Sequence, residues 1–319
     1  MMRRRVGAVA VLACVVVLLG GCAGSRPGVG ASPSGGSAAS FVIDADFPDP
    51  DVLRTDVEYV AYATGTYGVN LQSATSPDLT SWTVSGEDPL PKLPAWASTG
   101  RTWAPDVSEI GGRTVMYFAA EHTGSGKQCI GVATSPSPTG AFTPAGGAPL
   151  VCPLAQGGAI DPSTFVDGDG SRYLLWKTDG NCCGLDTWIE IARLSDDGLS
   201  LVGPVHRLID RSLPWEGNLV EAPTLVKHGG RYALFYSAND YSGDHYAIGV
   251  AWADSLFGPY RKQAQPVLST ALSHGRYRGP GGQDVVGDTL VFHSWDEQYI
   301  YRGMNTARIT WGAKQVRAG

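Results

Sequence analysis

A proline-led segment occurs five times along the 319-residue chain, and this repeat constrains the fold more than any other feature. Successive segments are spaced 55 to 61 residues apart. They begin at Pro50, Pro105, Pro162, Pro223 and Pro280. Self-similarity at such a period is typical of architectures in which each repeat is one supersecondary unit that packs against its neighbours.

Each segment continues with the pattern of an antiparallel sheet. An apolar and aromatic stretch such as "RYALFYSAN" (231–239) follows a Gly or Asp turn, which indicates a hairpin. A third stretch of small and β-branched residues comes next, as in "CIGVATS" (129–135). Five repeats of three or four strands predict an all-β fold, a five-bladed β-propeller. A long β-sandwich is the alternative, but its strands would be irregularly spaced.

The N-terminus has the character of an export signal. Arginines precede an apolar run at 6–19, which is too short to span a bilayer comfortably, and "LGGC" follows. We predict a signal peptide over 1–21. "LGGC" resembles the bacterial lipobox, so Cys22 is predicted to carry a lipid that anchors the protein to the cell surface; an ordinary signal peptide cleaved elsewhere is the alternative. Residues 22–40 then form a flexible tether, and 41–319 form the catalytic propeller.

The composition excludes some classes of partner. The formal net charge is −6, and the folded part contains no basic run, so nucleic acid is not an expected ligand. A neutral ligand such as a sugar suits an acidic domain. The 42 glycines and 21 prolines, with 17% charged residues, are typical of a turn-rich secreted β protein. We expect it to be a monomer.

Four cysteines lie beyond the leader, in a compartment where disulfides form. Three connectivities are possible, and we favour Cys129–Cys152. Cys182 and Cys183 then form a ring between neighbouring residues or stay reduced. No Cys-x-x-Cys or His-x-x-x-His pair is present, so a structural zinc site is not expected.

Carboxylates occupy equivalent places at the starts of three segments. Asp49 and Asp161 directly precede their prolines, and Glu221 stands two places before Pro223. Because the first strand of each blade lines the propeller axis, these side chains should converge. Facing carboxylates repel, so at least one should hold a proton near neutral pH, as acid–base chemistry requires. The alternative is that each acid merely begins a strand.

Four motifs carry a family resemblance: "FPDPDV", "WAPDV", "IDPS" and "EAPTLVKHGGRYALFYSA". Together they resemble family 43 of the glycoside hydrolases, five-bladed propellers that act on arabinose- and xylose-containing polysaccharides. The resemblance covers nearly the whole chain after Phe41. It implies that Asp49 is the general base, Glu221 the general acid, and Asp161 the residue that orients the acid and raises its pKa.

Other residues near these motifs allow two interpretations. Asp51 and Asp106 lie past the shared register and are interpreted as structural. Trp103 either stacks on a sugar or packs in the core. The "NCCG" stretch at 181–184 is either structural or, if its loop lies on the active-site face, an apolar plate beside the substrate.

One position departs from the family pattern. Gly282 stands in "GPGGQDVV" where relatives often carry His, near an axial calcium in some of them. His293 either replaces that His or is a packed strand residue. We therefore predict no required cofactor and name no metal ligands, with a calcium ion on the propeller axis as the alternative.

The resemblance implies an inverting hydrolase, in which an acid protonates the leaving oxygen while a base activates water. Arabinofuranosyl linkages are favoured over xylosyl linkages as the target, and a glycan is the expected partner. The alternative is a non-catalytic propeller that captures sugars at the cell surface. The intact set of three carboxylates favours the enzyme, because a binding protein does not need it.

Overall fold

Five antiparallel sheets follow one another along the chain in the computed structural model, which describes residues 41–312 and 315–319. The predicted signal peptide, the tether and Cys22 lie outside these residues. Within them, no helix has the length and apolar character needed to cross a membrane. The helical segments are single 3-10 turns: Leu154–Gln156, Gly180–Cys183 and Pro214–Glu216.

Each sheet is one blade, and its strands pair in chain order. The strands of the first two blades are β1 (Asp51–Arg54), β2 (Tyr59–Thr64), β3 (Leu71–Ser76), β4 (Thr83–Val84), β5 (Ala97–Ile110), β6 (Arg113–His122), β7 (Lys127–Ser135) and β8 (Thr143–Pro144). Those of the third are β9 (Ala159–Val166), β10 (Arg172–Thr178), β11 (Trp188–Leu194) and β12 (Leu201–Asp210).

The fourth blade has one strand more than the others, because β17 pairs with the same strand as β16 does. Its strands are β13 (Val220–His228), β14 (Arg231–Ala238), β15 (Ala247–Ala253), β16 (Arg261–Lys262) and β17 (Leu268–Ser269). The fifth blade contains β18 (Arg278–Val286), β19 (Thr289–Trp295), β20 (Arg302–Trp311) and β21 (Val316–Ala318). The predicted five-bladed β-propeller is confirmed.

The apolar core is divided into five clusters, each between two neighbouring blades. Tyr117 and Trp176, for example, pack together between blades two and three, and Phe235 packs with Phe292 between blades four and five. Each such aromatic side chain is fully buried and contributes roughly 1.5–3 kcal/mol from area removed from water. Burial on both faces explains why the middle strands are almost continuously apolar.

The ring is closed by the first residues of the domain. Ile43 lies antiparallel to Met304 of β20, and the N–H of Met304 donates to the Ile43 carbonyl at 3.1 Å. The N–H of Val42 donates to the Met304 carbonyl at 2.9 Å. A separate cluster that includes Phe47 and Val291 packs blade one against blade five.

The sequence repeat corresponds to a repeated backbone distortion. The residue before the proline has a positive φ in all five blades: Asp49 (55°), Ala104 (43°), Asp161 (54°), Ala222 (48°) and Gly279 (54°). In blades two to five the ladder of the inner strand also shifts register at this point, as in a β-bulge. A bulge re-aims side chains, and such strained residues persist where the surrounding structure fixes them.

Candidate active site

The three carboxylates line one cavity of about 820 Å³, which is formed by the inner strands of all five blades. Asp49 and Asp161 are half-buried, and Glu221 is buried. Asp161 and Glu221 stand at bulges, and Asp49 has the same positive φ as Asp161, so the distorted backbone at the blade starts turns the three side chains toward the same space. Their surroundings differ, and these differences determine their chemistry.

Asp49 is surrounded by groups that favour its charged form. Thr64 donates its hydroxyl hydrogen to Oδ2 at 2.7 Å, Arg302 Nη1 lies 3.6 Å from Oδ1, and His293 Nδ1 lies 3.2 Å from Oδ1. Burial alone raises the pKa of Asp49, but the charge of Arg302 and the polar contacts with His293 and Thr64 outweigh it and hold that pKa well below its usual range. Asp49 is therefore an ionised carboxylate, as a general base must be.

His293 explains the departure at Gly282. A Cβ at Gly282 would lie 2.5 Å from Asp49 Oδ1 and 2.6 Å from His293 Nδ1, so the imidazole occupies the space that a side chain there would need. The N–H of Asp49 donates to Nδ1 at 3.1 Å, and the ring lies parallel to Tyr246 with centroids 5.9 Å apart. Burial, followed by the charge of Arg302, lowers the pKa of His293, so the ring is neutral.

Glu221 is held by two donors from different blades. Lys177 Nζ lies 3.0 Å from Oε2, and the Tyr246 hydroxyl donates to Oε1 at 2.8 Å. Lys177 also lies 3.3 Å from Asp179 Oδ1 and is 1% exposed. Burial lowers the pKa of Lys177, but the charges of Glu221, Asp161 and Asp179 outweigh that effect and raise it, so the ammonium remains protonated.

Asp161 is the carboxyl that holds a proton. Its Oδ2 accepts the N–H of Ala222 at 2.9 Å. Burial and then the charge of Glu221 raise the pKa of Asp161 to about 8. Asp161 therefore retains its proton at neutral pH.

Three further carboxylates, of which Asp106 is buried and Asp51 and Asp284 are half-buried, join the blades around the axis. Asp51, Asp106 and Asp284 each accept a backbone N–H from the inner strand of the next blade, at 2.9, 2.9 and 3.0 Å. Burial is the main cause that raises their pKa values, to about 7 for Asp106 and about 6 for Asp284, and well above the usual range for Asp51. These contacts give Asp51 and Asp106 a structural part in the ring.

The residues with two interpretations also lie near the cavity. Trp103 is half-buried in the cavity wall, with the Arg101 guanidinium 5.6 Å from its ring centroid, and its stacking on a sugar stays a prediction. Cys129 is bonded to Cys152, and Cys182 is bonded to Cys183.

Three residues of the site were missed from the sequence: Lys177, Tyr246 and Arg302. A signal existed for Lys177, which stands within the apolar stretch "YLLWKTD". A lysine in such a strand is buried, and a buried lysine requires an acidic partner. Tyr246 directly precedes β15 in blade four, Arg302 begins β20 in blade five, and neither has a comparable local signal.

The described residues contain no group of three or more His, Cys, Asp or Glu arranged to hold a metal ion. His293, which lies beside Gly282, faces Asp49, with Nδ1 3.2 Å from Oδ1. No chemical step is assigned to a metal ion, and the absence of a required cofactor stays a prediction.

A propeller that presents an ionised carboxylate and a proton-holding pair of carboxyls across one cavity has the groups that hydrolysis of a glycosidic bond requires. The fold and the site together define a glycosidase. A profile of glycosyl hydrolases family 43 matches residues 39–314, and the chain belongs to this family.

Two curated relatives are named as an arabinanase and an arabinofuranosidase. The chain is 29% identical over 265 residues to the extracellular endo-α-(1→5)-L-arabinanase 1 of Bacillus subtilis, a match that covers 78% of this chain and 80% of that enzyme. It is 29% identical over 238 residues to the extracellular exo-α-(1→5)-L-arabinofuranosidase of Streptomyces avermitilis, which covers 69% of this chain and 46% of that enzyme.

Solved structures have the same fold. The crystal structure of a thermostable family-43 glycoside hydrolase superposes with a TM-score of 0.76 at 28% identity, covering 88% of this chain and 94% of the other. A Bacteroides thetaiotaomicron structure named as an endo-1,4-β-xylanase gives a TM-score of 0.72 at 27% identity, over 88% and 97% of the two chains.

Proposed function

We propose that this protein is an exported, inverting glycosidase that hydrolyses arabinofuranosyl linkages in arabinan-type glycans. Asp49 acts as the general base, Glu221 as the general acid, and Asp161 as the residue that supports the acid. The observation that carries this proposal is the contrast between Asp49, held ionised by Arg302, and the Asp161–Glu221 pair, which retains a proton.

The reaction is a single displacement. The Asp49 carboxylate removes a proton from water as the water oxygen attacks the anomeric carbon. Glu221 takes up the proton that Asp161 holds and donates it to the glycosidic oxygen as the bond between that oxygen and the anomeric carbon breaks. In inverting glycosidases the two carboxyl groups stand roughly 6.5–9.5 Å apart, which leaves room for the attacking water.

The surrounding groups prepare both carboxyls before the substrate binds. Lys177 and Tyr246 each hold one oxygen of Glu221, which fixes the orientation of its carboxyl group. Thr64 and Arg302 do the same for the two oxygens of Asp49. Such preorganisation removes the need to reorient catalytic groups during the reaction.

The names of relatives support the substrate and the location. Both curated relatives described above act on α-(1→5)-L-arabinosyl linkages by name, and both are named extracellular. The arabinofuranosyl linkage is therefore favoured over the xylosyl linkage. Export fits the N-terminal sequence, and the lipid anchor on Cys22 and the monomeric state are part of the proposal.

The test compares hydrolysis of nitrophenyl α-L-arabinofuranoside, nitrophenyl β-D-xyloside and debranched arabinan. Removing one acid or base should lower kcat by about 10²–10⁴-fold, so Glu221→Gln and Asp49→Asn should both be nearly inactive. Glu87→Gln, in an exposed loop, is the matched control and should keep full activity. Proton NMR of the first product should show the inverted anomer.

Two outcomes would contradict the proposal. Undiminished hydrolysis by Glu221→Gln would remove the assignment of the acid. Sugar binding in a calorimetric titration, with no turnover on a broad glycan panel, would instead show a non-catalytic sugar-binding propeller.

A further inference from the structure

The bond between Cys182 and Cys183 lies at the edge of the catalytic cavity. The two cysteines end the 3-10 turn Gly180–Cys183, which directly follows the strand that carries Lys177. Both cysteines are exposed, and Cys182 lines the same cavity as Glu221. The loop therefore lies on the active-site face.

This disulfide has no evident role in stabilising the fold. A disulfide stabilises a protein mainly by closing a loop in the unfolded chain, and the effect grows with loop length. Cys182 and Cys183 are adjacent, so their bond closes no loop. Cys129 and Cys152, by contrast, are 23 positions apart and link two segments of blade two.

The turn is held rigidly in place. The N–H of Leu185 donates to the Gly180 carbonyl at 2.9 Å, and the N–H of Asp179 donates to the Gly158 carbonyl at 2.9 Å. A Cβ at Gly180 would collide with the carbonyl oxygen of Asp186, so only glycine allows this close packing. A rigid surface loses little conformational entropy when a ligand binds.

Polar groups surround the sulfur surface. Lys127 Nζ, from blade two, lies 2.6 Å from Cys183 Sγ and 3.5 Å from Cys182 Sγ, and Lys127, Gln128 and Asn181 line the cavity beside the two sulfurs. A polarisable, apolar surface with a few polar groups at its rim suits a sugar, which has an apolar C–H face and hydroxyl groups at its edge.

Side-chain contacts connect the turn that carries this sulfur surface to the proposed general acid. Asp179, the residue before the turn, contacts Lys177, which in turn holds Glu221. The general acid faces the leaving oxygen, so the surface beside it lies next to the leaving group. The Arg302 side of the cavity belongs to the base.

We infer that the Cys182–Cys183 disulfide forms an apolar plate on which a neutral furanose unit of the glycan packs, on the leaving-group side of the cleaved bond. This inference rests on the proposed function, because it takes Glu221 as the general acid. It assigns the plate to substrate binding and makes it a determinant of specificity for longer glycans.

The experiment compares wild type with Cys182→Ser/Cys183→Ser, using arabinotriose as the substrate and the full chain. Losing one packing contact of this kind should raise KM by about tenfold, since tenfold corresponds to 1.4 kcal/mol, and leave kcat nearly unchanged because uniform binding is lost. The melting temperature should stay within about 2 °C of wild type, because no loop is opened.

Cys129→Ser/Cys152→Ser is the matched control, and it should show the opposite pattern: a lower melting temperature with an unchanged KM. A rise in KM below threefold for the plate variant would overturn the inference, as would a loss of kcat without any change in KM. If wild type itself does not hydrolyse arabinotriose, the proposed function fails rather than the plate. For that case, calorimetry of arabinotriose binding to wild type and the plate variant still measures the plate, and equal affinities would overturn it.

Discussion

Replacement of Lys177 by methionine tests whether one buried ammonium makes the acidic site compatible with folding. Lys177 is 1% exposed and lies between the carboxylates of Glu221 and Asp179. Methionine keeps most of the volume but removes the charge, which leaves two buried carboxylates facing each other. Breaking a buried ion pair by removing one partner costs about 3–5 kcal/mol. At about 2–4 °C per kcal/mol, the melting temperature should fall by roughly 10 °C.

The assay is thermal unfolding followed by circular dichroism at pH 8 and at pH 4.5. The deficit should be smaller at pH 4.5, because the unpaired carboxylates can then take up protons. Lys227→Met is the matched control, since Lys227 lies 2.9 Å from Asp167 but its side chain is 41% exposed. An exposed pair contributes about 0–1 kcal/mol. If both variants lower the melting temperature equally, burial of the Lys177 charge does not account for the stability of the site.

Three other predictions concern single residues. Gly282→Ala should lower kcat at least tenfold with little change in KM, because its Cβ would displace Asp49. Gly287→Ala, also at positive φ but in open space, is the control for backbone strain. Equal kcat values for the two variants would refute the reasoning. Asp161→Asn should abolish the alkaline limb of the kcat/KM profile near pH 8, and an unchanged limb would assign it elsewhere. Folding raises the pKa of Asp106 from 3.8 to about 7, so its contribution to stability is complete below pH 3.8 and is lost as pH rises through 7. The free energy of unfolding in urea should therefore depend less on pH between these two values for Asp106→Asn than for wild type.

The sequence repeat predicted the ring and the place of its carboxylates, because both depend on local pattern. Strand periodicity, turn residues and the proline register are visible in one segment at a time, and the axis follows from their repetition. The same register brought Asp49, Asp161 and Glu221 to one cavity.

What the sequence did not predict depends on contacts between distant segments. His293 is 244 positions from Asp49, and the sequence left open whether it replaces the histidine missing at Gly282 or packs in a strand. The sequence argument also expected Asp161 to act on Glu221, whereas the structure shows in addition that Glu221 raises the pKa of Asp161. Which member of an interacting pair holds the proton depends on the cation nearby, here Lys177.

The closure of the ring has a consequence for when the enzyme becomes active. A chain with only its first four blades already contains Asp49, Asp161 and Glu221, but it lacks Arg302 and His293, which keep Asp49 charged and in position. These two residues arrive together with the pairing of Ile43 and Met304. Contacts between such distant segments carry the largest loop-closure entropy and form late. With Asp49 as the proposed general base, assembly of the last blade completes the site, and we expect a chain whose first and last segments have not yet paired to be inactive.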